Sequence, residues 1–125
     1  MKKATQHDRE LITLASNLYR DMFNEELNLT NIRFNSRITR RLGFVRYIRN
    51  NETGLPVSVT GMEISDKLID NMDRLMLVLR HELIHIYCIR KYQEAGHTGY
   101  FQKYSNKFKT YFVNPRTGRF MYTCA

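Results

Sequence analysis

At 125 residues the chain has room for one hydrophobic core, and a hydrophobic share of 42% with eight Tyr and seven Phe excludes a disordered tail. No stretch reaches the roughly 18 apolar residues of a membrane span, and MKKATQHDRE lacks the apolar segment of a secretory signal, so a soluble, monomeric, intracellular protein without membrane contact is expected. The net charge of +8 steers the molecule towards polyanions, and two cysteines, Cys88 in an apolar run and Cys124 next to last, make a poor basis for a disulfide framework.

In chain order, Leu11, Ala15, Leu18 and Met22, joined by Ile12, Tyr19 and Phe23, recur at helical spacing and predict an amphipathic helix over 7–26. Residues 31–36 and 41–49 are short β-branched and aromatic runs around Gly43 and predict strands. After the turn NNETGLP, the run VSVTGMEI alternates as a third strand. Ser65 or Asp66 can cap a helical stretch, and a second start at Asp70 or Asn71 opens a long helix reaching about Tyr92. Gly96 interrupts it, 97–112 read as a further helix, and NPRTG marks the turn of a C-terminal hairpin. The sum is a single α+β domain over 1–125: N-terminal helix, small mixed sheet, central helices and hairpin.

Charge is segregated along this order. Residues 27–51 carry Arg33, Arg37, Arg40, Arg41, Arg46 and Arg49 with no acid, and 95–125 carry Lys103, Lys107, Lys109, Arg116 and Arg119 with none, so the remainder is net acidic. Phe34, Phe44 and Tyr47 interleave the first stretch, and Tyr100, Phe101, Tyr104, Phe108, Tyr111 and Phe112 the second. Cations for phosphates among aromatic faces for bases are the composition of a single-stranded nucleic acid site, and the six arginines of 27–51 are its candidate contacts. The alternative is that the aromatics are core and the arginines a solvated surface.

The stretch RHELIHIY, residues 80–87, raises an energetic question. Leu75, Leu77, Val78, Leu79, Leu83, Ile84, Ile86 and Ile89 leave this helix hardly any face for water, so His81, Glu82 and His85 must be largely desolvated. A buried lone carboxylate costs several kcal/mol. Histidines at i and i+4 project from one face and can converge on one ion, which removes the difficulty. The HExxH pattern names zinc, with two neutral imidazoles as ligands and a glutamate that reaches a water in an open coordination position. Satisfied core histidines without metal are the bland alternative. A third ligand is sought downstream, where His97 in EAGHTGYF and Glu94 are the candidates; imidazole suits zinc better, so His97 is preferred.

HELIH followed by GH and an aromatic in GHTGYF resembles the SprT-like zinc metalloprotease domain, a family whose members include a eukaryotic protease of DNA–protein crosslinks. The likeness extends to the helix LITLASNLYRDMFN, the arginine-bearing strand pair and VSVTGMEIS before HExxH, and so covers most of the chain. It implies a zincin-like fold of small gluzincin type, one Zn²⁺ held by His81, His85 and His97, and Glu82 as the catalytic acid/base. Two departures stand out: the family's GHG is GHT here, with Thr98 at the second glycine, and the C-terminal zinc ribbon is absent or reduced to Cys124. A stand-alone catalytic domain, cytoplasmic in a bacterial or phage-infected cell or associated with the nucleoid, is the corresponding expectation.

The expected chemistry is peptide hydrolysis by a zinc-activated water with Glu82 as general base, on a protein or peptide substrate held near DNA, single-stranded DNA favoured. VSVTGMEI is expected to hold the substrate by sheet addition, and Tyr100 and Tyr104 are candidates for stabilising the oxyanion. The rival reading is a nucleic-acid-binding module with a structural metal and no protease activity.

Overall fold

Thr5 sets the first helix in the computed structural model, which describes residues 5–38 and 41–110 together with 112–113, 116 and 120–121. Its hydroxyl accepts from the Asp8 N–H at 3.1 Å while Asp8 Oδ2 accepts from the Thr5 N–H at 3.0 Å, so two of the donors that open a helix are satisfied reciprocally. Helix α1, Gln6–Phe23, turns Leu11, Ala15 and Tyr19 into the core. Asn24, in left-handed backbone, ends it short of the expected residue 26, and beyond this cap Glu26 pairs with Arg20. Asp8 also ties α1 to the sheet, because its Oδ1 accepts from the Phe34 N–H at 2.9 Å.

The sheet is mixed. Strands β1 (Ile32–Asn35), β2 (Gly43–Arg49) and β3 (Pro56–Ser65) lie in the order β1-β3-β2, β1 parallel to β3 and β2 antiparallel to it. β3 is the middle strand, paired on both sides over Met62–Ser65 and with β2 alone over 56–61, so the expected sheet addition along the second half of VSVTGMEI is blocked, whereas β2 presents a free edge along its whole length. Alternation along a strand shows which face is buried and nothing about its neighbours, which is why sequence could not decide this. Met62 and Ile64 of β3 join the core, and Glu63 between them is also buried. Its carboxylate is held by Arg33, Arg46 and Asn35. At Gly43 a Cβ would stand 2.9 Å from Ile64 Cδ1 and 3.2 Å from Val78 Cγ1, so the missing side chain lets β2 start close against the following helix.

Ser65 caps the expected helical stretch, which is a single 3₁₀ turn, Asp66–Leu68. Asn71 then opens helix α2, Met72–Tyr92, its Oδ1 accepting from the Arg74 N–H at 3.2 Å, as the sequence predicts. One side of α2 packs Leu75, Val78, Leu79, Leu83 and Ile86 against α1 and the sheet; Ile84 and Cys88 meet Phe101 in a second cluster. The middle of the helix is therefore buried nearly all round, and His81, Glu82 and His85 lie within it.

Gln93, in left-handed backbone, terminates α2, and α3 spans Gly99–Phe108. It is shorter than the expected 97–112 because extended Thr98 is its N-cap and left-handed Lys109 its C-cap, with the Ser105 and Thr110 hydroxyls 2.8 Å apart in the interior beyond. Phe112 enters β4, Phe112–Val113, antiparallel to β5, Phe120–Met121, so the C-terminal hairpin is present; most of its NPRTG turn lies outside the described residues. Cys88 is a buried free thiol, pushed up to about 12 by burial first and Glu94's charge second, and Cys124 lies outside the described residues. Among the described residues no helix is long and apolar enough to cross a membrane.

Candidate metal centre

Helix α2 supplies His81, Glu82 and His85 from its buried middle, and the loop between α2 and α3 supplies His97. The loop reverses sharply: the Gln93 N–H bonds the Cys88 and Ile89 carbonyls, and the Glu94 N–H returns to Cys88 O at 3.3 Å. Gln102 Nε2 then donates to the His97 carbonyl at 3.0 Å, which fixes His97 over the first turn of α3. Glu94, the rival ligand, turns elsewhere and accepts from the Thr98 hydroxyl at 2.8 Å.

His97 Nε2 lies 3.2 Å from His85 Nε2 and 3.3 Å from His81 Nε2. Nitrogens bound to one tetrahedral ion at about 2.0–2.1 Å stand about 3.3–3.4 Å apart, so these separations fit a common ligand shell. The backbone of Thr110 beside His81 and that of Ala95 beside His85 raise the proton affinity of the two imidazoles, against the larger effect of burial. With Nε2 turned to the cluster, the tautomer protonated at Nδ1 would aim the Nε2 lone pairs inward. Lone pairs converging at this distance repel unless a cation lies among them. The three side chains could hold a metal ion.

Burial, then the charge of His97, lowers the His81 pKa to about 3 against the opposing Thr110 bond. Burial, with His81 and His97, holds His85 well below its ordinary value, and burial lowers His97 too. All three are therefore neutral at pH 7, the form that ligates. Glu82 is pushed up to about 8 by burial, against the pull of Arg41. Its Oε2 lies 3.9 Å from His81 Nε2, too far for a hydrogen bond, and with His81 neutral the contact is no ion pair. That oxygen is buried and has no hydrogen-bond partner among the described residues.

Phe101 supports the three rings from below. Wholly buried, it stacks on His85 with centroids 4.3 Å apart and meets His81 and His97 edgewise at 4.9 and 4.8 Å. Its position four residues after His97, on the inward face of an amphipathic helix, was the available signal for it. Outward from the histidine cluster opens a cavity of about 200 Å³, walled by Phe44, Val45 and Tyr47 of β2, by Arg41 just before it, and by Glu82, His85 and His97. The contribution of β2 to this wall could not be read from periodicity.

The remaining candidates are dispersed. Arg33 and Arg46 bind Glu63, Arg49 donates to the Gly54 carbonyl and the Tyr47 hydroxyl, Arg37 is exposed, and Arg40 lies outside the described residues. Arg41 faces the cavity. Tyr100 stacks on Tyr92 at 3.8 Å and the Tyr104 hydroxyl meets that of Tyr92 at 3.2 Å; neither lines the cavity, so neither is placed to stabilise an oxyanion there.

Compared with known proteins, residues 9–119 match the SprT-like family. No curated protein and no solved structure matches the chain.

Proposed function

This chain belongs to the SprT-like family, and on that premise we propose that it is a zinc-dependent endopeptidase of zincin-like fold, with His81, His85 and His97 as metal ligands and Glu82 as general base. The observation that carries the proposal is His97 Nε2 standing 3.2 and 3.3 Å from the Nε2 atoms of His85 and His81, all three imidazoles neutral, beside the buried Glu82 and next to an open cavity. An all-imidazole donor set suits zinc, and among the described residues the cluster has three ligating side chains, the number catalytic zinc sites use. A structural metal would need a fourth.

Zinc bound there supplies Lewis acidity, polarising a substrate carbonyl and acidifying a water molecule. Glu82 accepts the proton of the attacking water and returns it to the leaving amine; burial alone favours its protonated form, and the charge of a bound cation together with Arg41 would restore the ionised form that begins the cycle. Phe44, Val45 and Tyr47 lie on an edge strand, so an extended peptide can add to β2 along the cavity and be held by backbone hydrogen bonds with little demand on its sequence. Association with DNA, single-stranded DNA favoured, is part of the same proposal and is supported by the +8 charge and the acid-free stretch 27–51.

The test is metal content together with proteolysis. Purified protein should hold about one zinc per chain and cut an unfolded protein, faster with single-stranded DNA present. Absence of stoichiometric metal, or of cleavage by zinc-loaded protein, would refute the reading; activity indifferent to DNA and salt would refute the DNA component alone.

A further inference from the structure

The cavity beside Glu82, His85 and His97 contains one accessible charged side chain, Arg41. Beside the neutral imidazoles of His85 and His97, the lining has two acidic or basic side chains, Arg41 and Glu82, and Glu82 is 1% exposed whereas Arg41 is open to solvent. Other cations near β2 are committed: Arg33 and Arg46 to Glu63, Arg49 to Gly54 O and the Tyr47 hydroxyl. Arg41 pairs with no acid among the described residues. Its guanidinium instead lies over the Phe44 ring, 4.3 Å from the centroid, and that ring is itself part of the cavity wall. Stacking of this kind leaves the edge of the guanidinium, with its N–H groups, directed away from the ring and available.

We propose that Arg41 is a specificity-determining residue of the cleft, which selects substrates carrying a carboxylate on a side chain close to the bond to be cut. The inference rests on the endopeptidase reading and extends it to the substrate. An extended peptide added to β2 passes Arg41 at one end of the strand, so an aspartate or glutamate within a few residues of the scissile bond can reach the guanidinium and form paired, charge-assisted hydrogen bonds. Phe44 limits the motion of the guanidinium and so reduces the ordering cost of that pair. The position at the rim, with the site's carboxylate buried behind it, leaves the accessible charge of the cleft positive. Lysine-rich segments are disfavoured by the same field.

The test uses a series of internally quenched peptides, each carrying Glu, Gln or Lys in turn at every position flanking the cleaved bond, with the zinc-loaded wild type, Arg41→Gln, Arg41→Lys and Arg41→Glu. At one position the wild type should prefer Glu to Gln by about fivefold in kcat/KM, the scale of an exposed ion pair. The ratio should fall to about one in Arg41→Gln, persist in part in Arg41→Lys, and give way to a preference for Lys in Arg41→Glu. Zinc content equal to that of the wild type certifies each variant as folded. A Glu preference unchanged in Arg41→Gln, a wild type indifferent at every position, or an equal loss on all three peptides would overturn the proposal. If wild type cuts none of them, the endopeptidase reading has failed; anisotropy titration of the same labelled peptides against zinc-loaded protein then decides the inference, since loss of a Glu-over-Gln binding preference in Arg41→Gln supports it and no preference in the wild type overturns it.

Discussion

His97 Nε2 stands 3.3 Å from His81 Nε2 although the two belong to different elements, one in a loop and one in the middle of a buried helix. The loop histidine thus reaches both helical ones, and if the three hold a metal, removing it should dismantle the centre. Four-ligand zinc sites bind with about 10–16 kcal/mol, so one ligand is worth roughly 3 kcal/mol, or about a hundredfold in affinity. His97→Ala should therefore lose zinc to a chelator that the wild type resists, while Glu94→Ala, whose carboxylate meets Thr98, should retain it. Competition titrations of both variants measure this, and equal zinc affinity in His97→Ala would remove His97 from the ligand set.

Glu82→Gln separates chemistry from binding. The substitution keeps the volume and the buried position, leaves the three imidazoles in place, and deletes the group that carries the proton. Zinc content should equal that of the wild type, and kcat should fall by about 10²–10⁴-fold. Loss of metal along with activity would mean that the glutamate holds the ion.

The candidate site was legible in the sequence where one rule acted alone. Histidines four apart in a helix with no polar face could be read as converging, because helical geometry fixes their direction and burial demands a partner. His97 followed from the chemistry of its imidazole. The cleft was not legible, because it depends on which strand lies at the sheet edge, and the alternation of VSVTGMEI is compatible with either place. Arg41 was grouped with the other arginines of its stretch for the same reason: composition records the charge, but only the order β1-β3-β2 puts that position beside Glu82 while Arg33 and Arg46 turn to Glu63. The further helix began later than expected because the backbone that delivers His97 is non-helical.

Glu63 makes the sheet sensitive to acid. Burial is the largest single influence and raises its pKa, but the hydrogen bonds from Arg46 and Asn35, with the charges of Arg46 and Arg33, outweigh it and hold the carboxyl below 4.5. A folded-state pKa below the unfolded one contributes stability that is complete above about 4.5 and is lost as the pH falls through the lower folded value. Thermal midpoints should therefore decline on acidification below that range, with less decline in Glu63→Gln. At pH 7 the variant should be less stable by about 1–2 kcal/mol, because Arg46 and Asn35 lose a charged acceptor. Parallel pH profiles of the two proteins would refute the assignment.

Phe101 joins stability to metal affinity. It touches all three imidazoles and belongs to the cluster of Ile84 and Cys88, so truncation both opens a cavity and frees the rings. Phe101→Ala should cost about 3–5 kcal/mol, enough to threaten folding, so the informative variant is Phe101→Leu, which keeps most of the apolar volume and removes the flat surface under His85. If the ring orients the ligands, Phe101→Leu should weaken zinc binding by about tenfold, the lower end of what supporting groups contribute, with a smaller change in the metal-free thermal midpoint than Phe101→Ala produces. If the ring only fills space, zinc affinity and metal-free stability will fall together across the two variants, and the lost affinity will be no more than the lost stability accounts for. Chelator competition beside thermal unfolding of the metal-free proteins distinguishes these outcomes, because only an orienting role lets affinity fall further than the fold weakens.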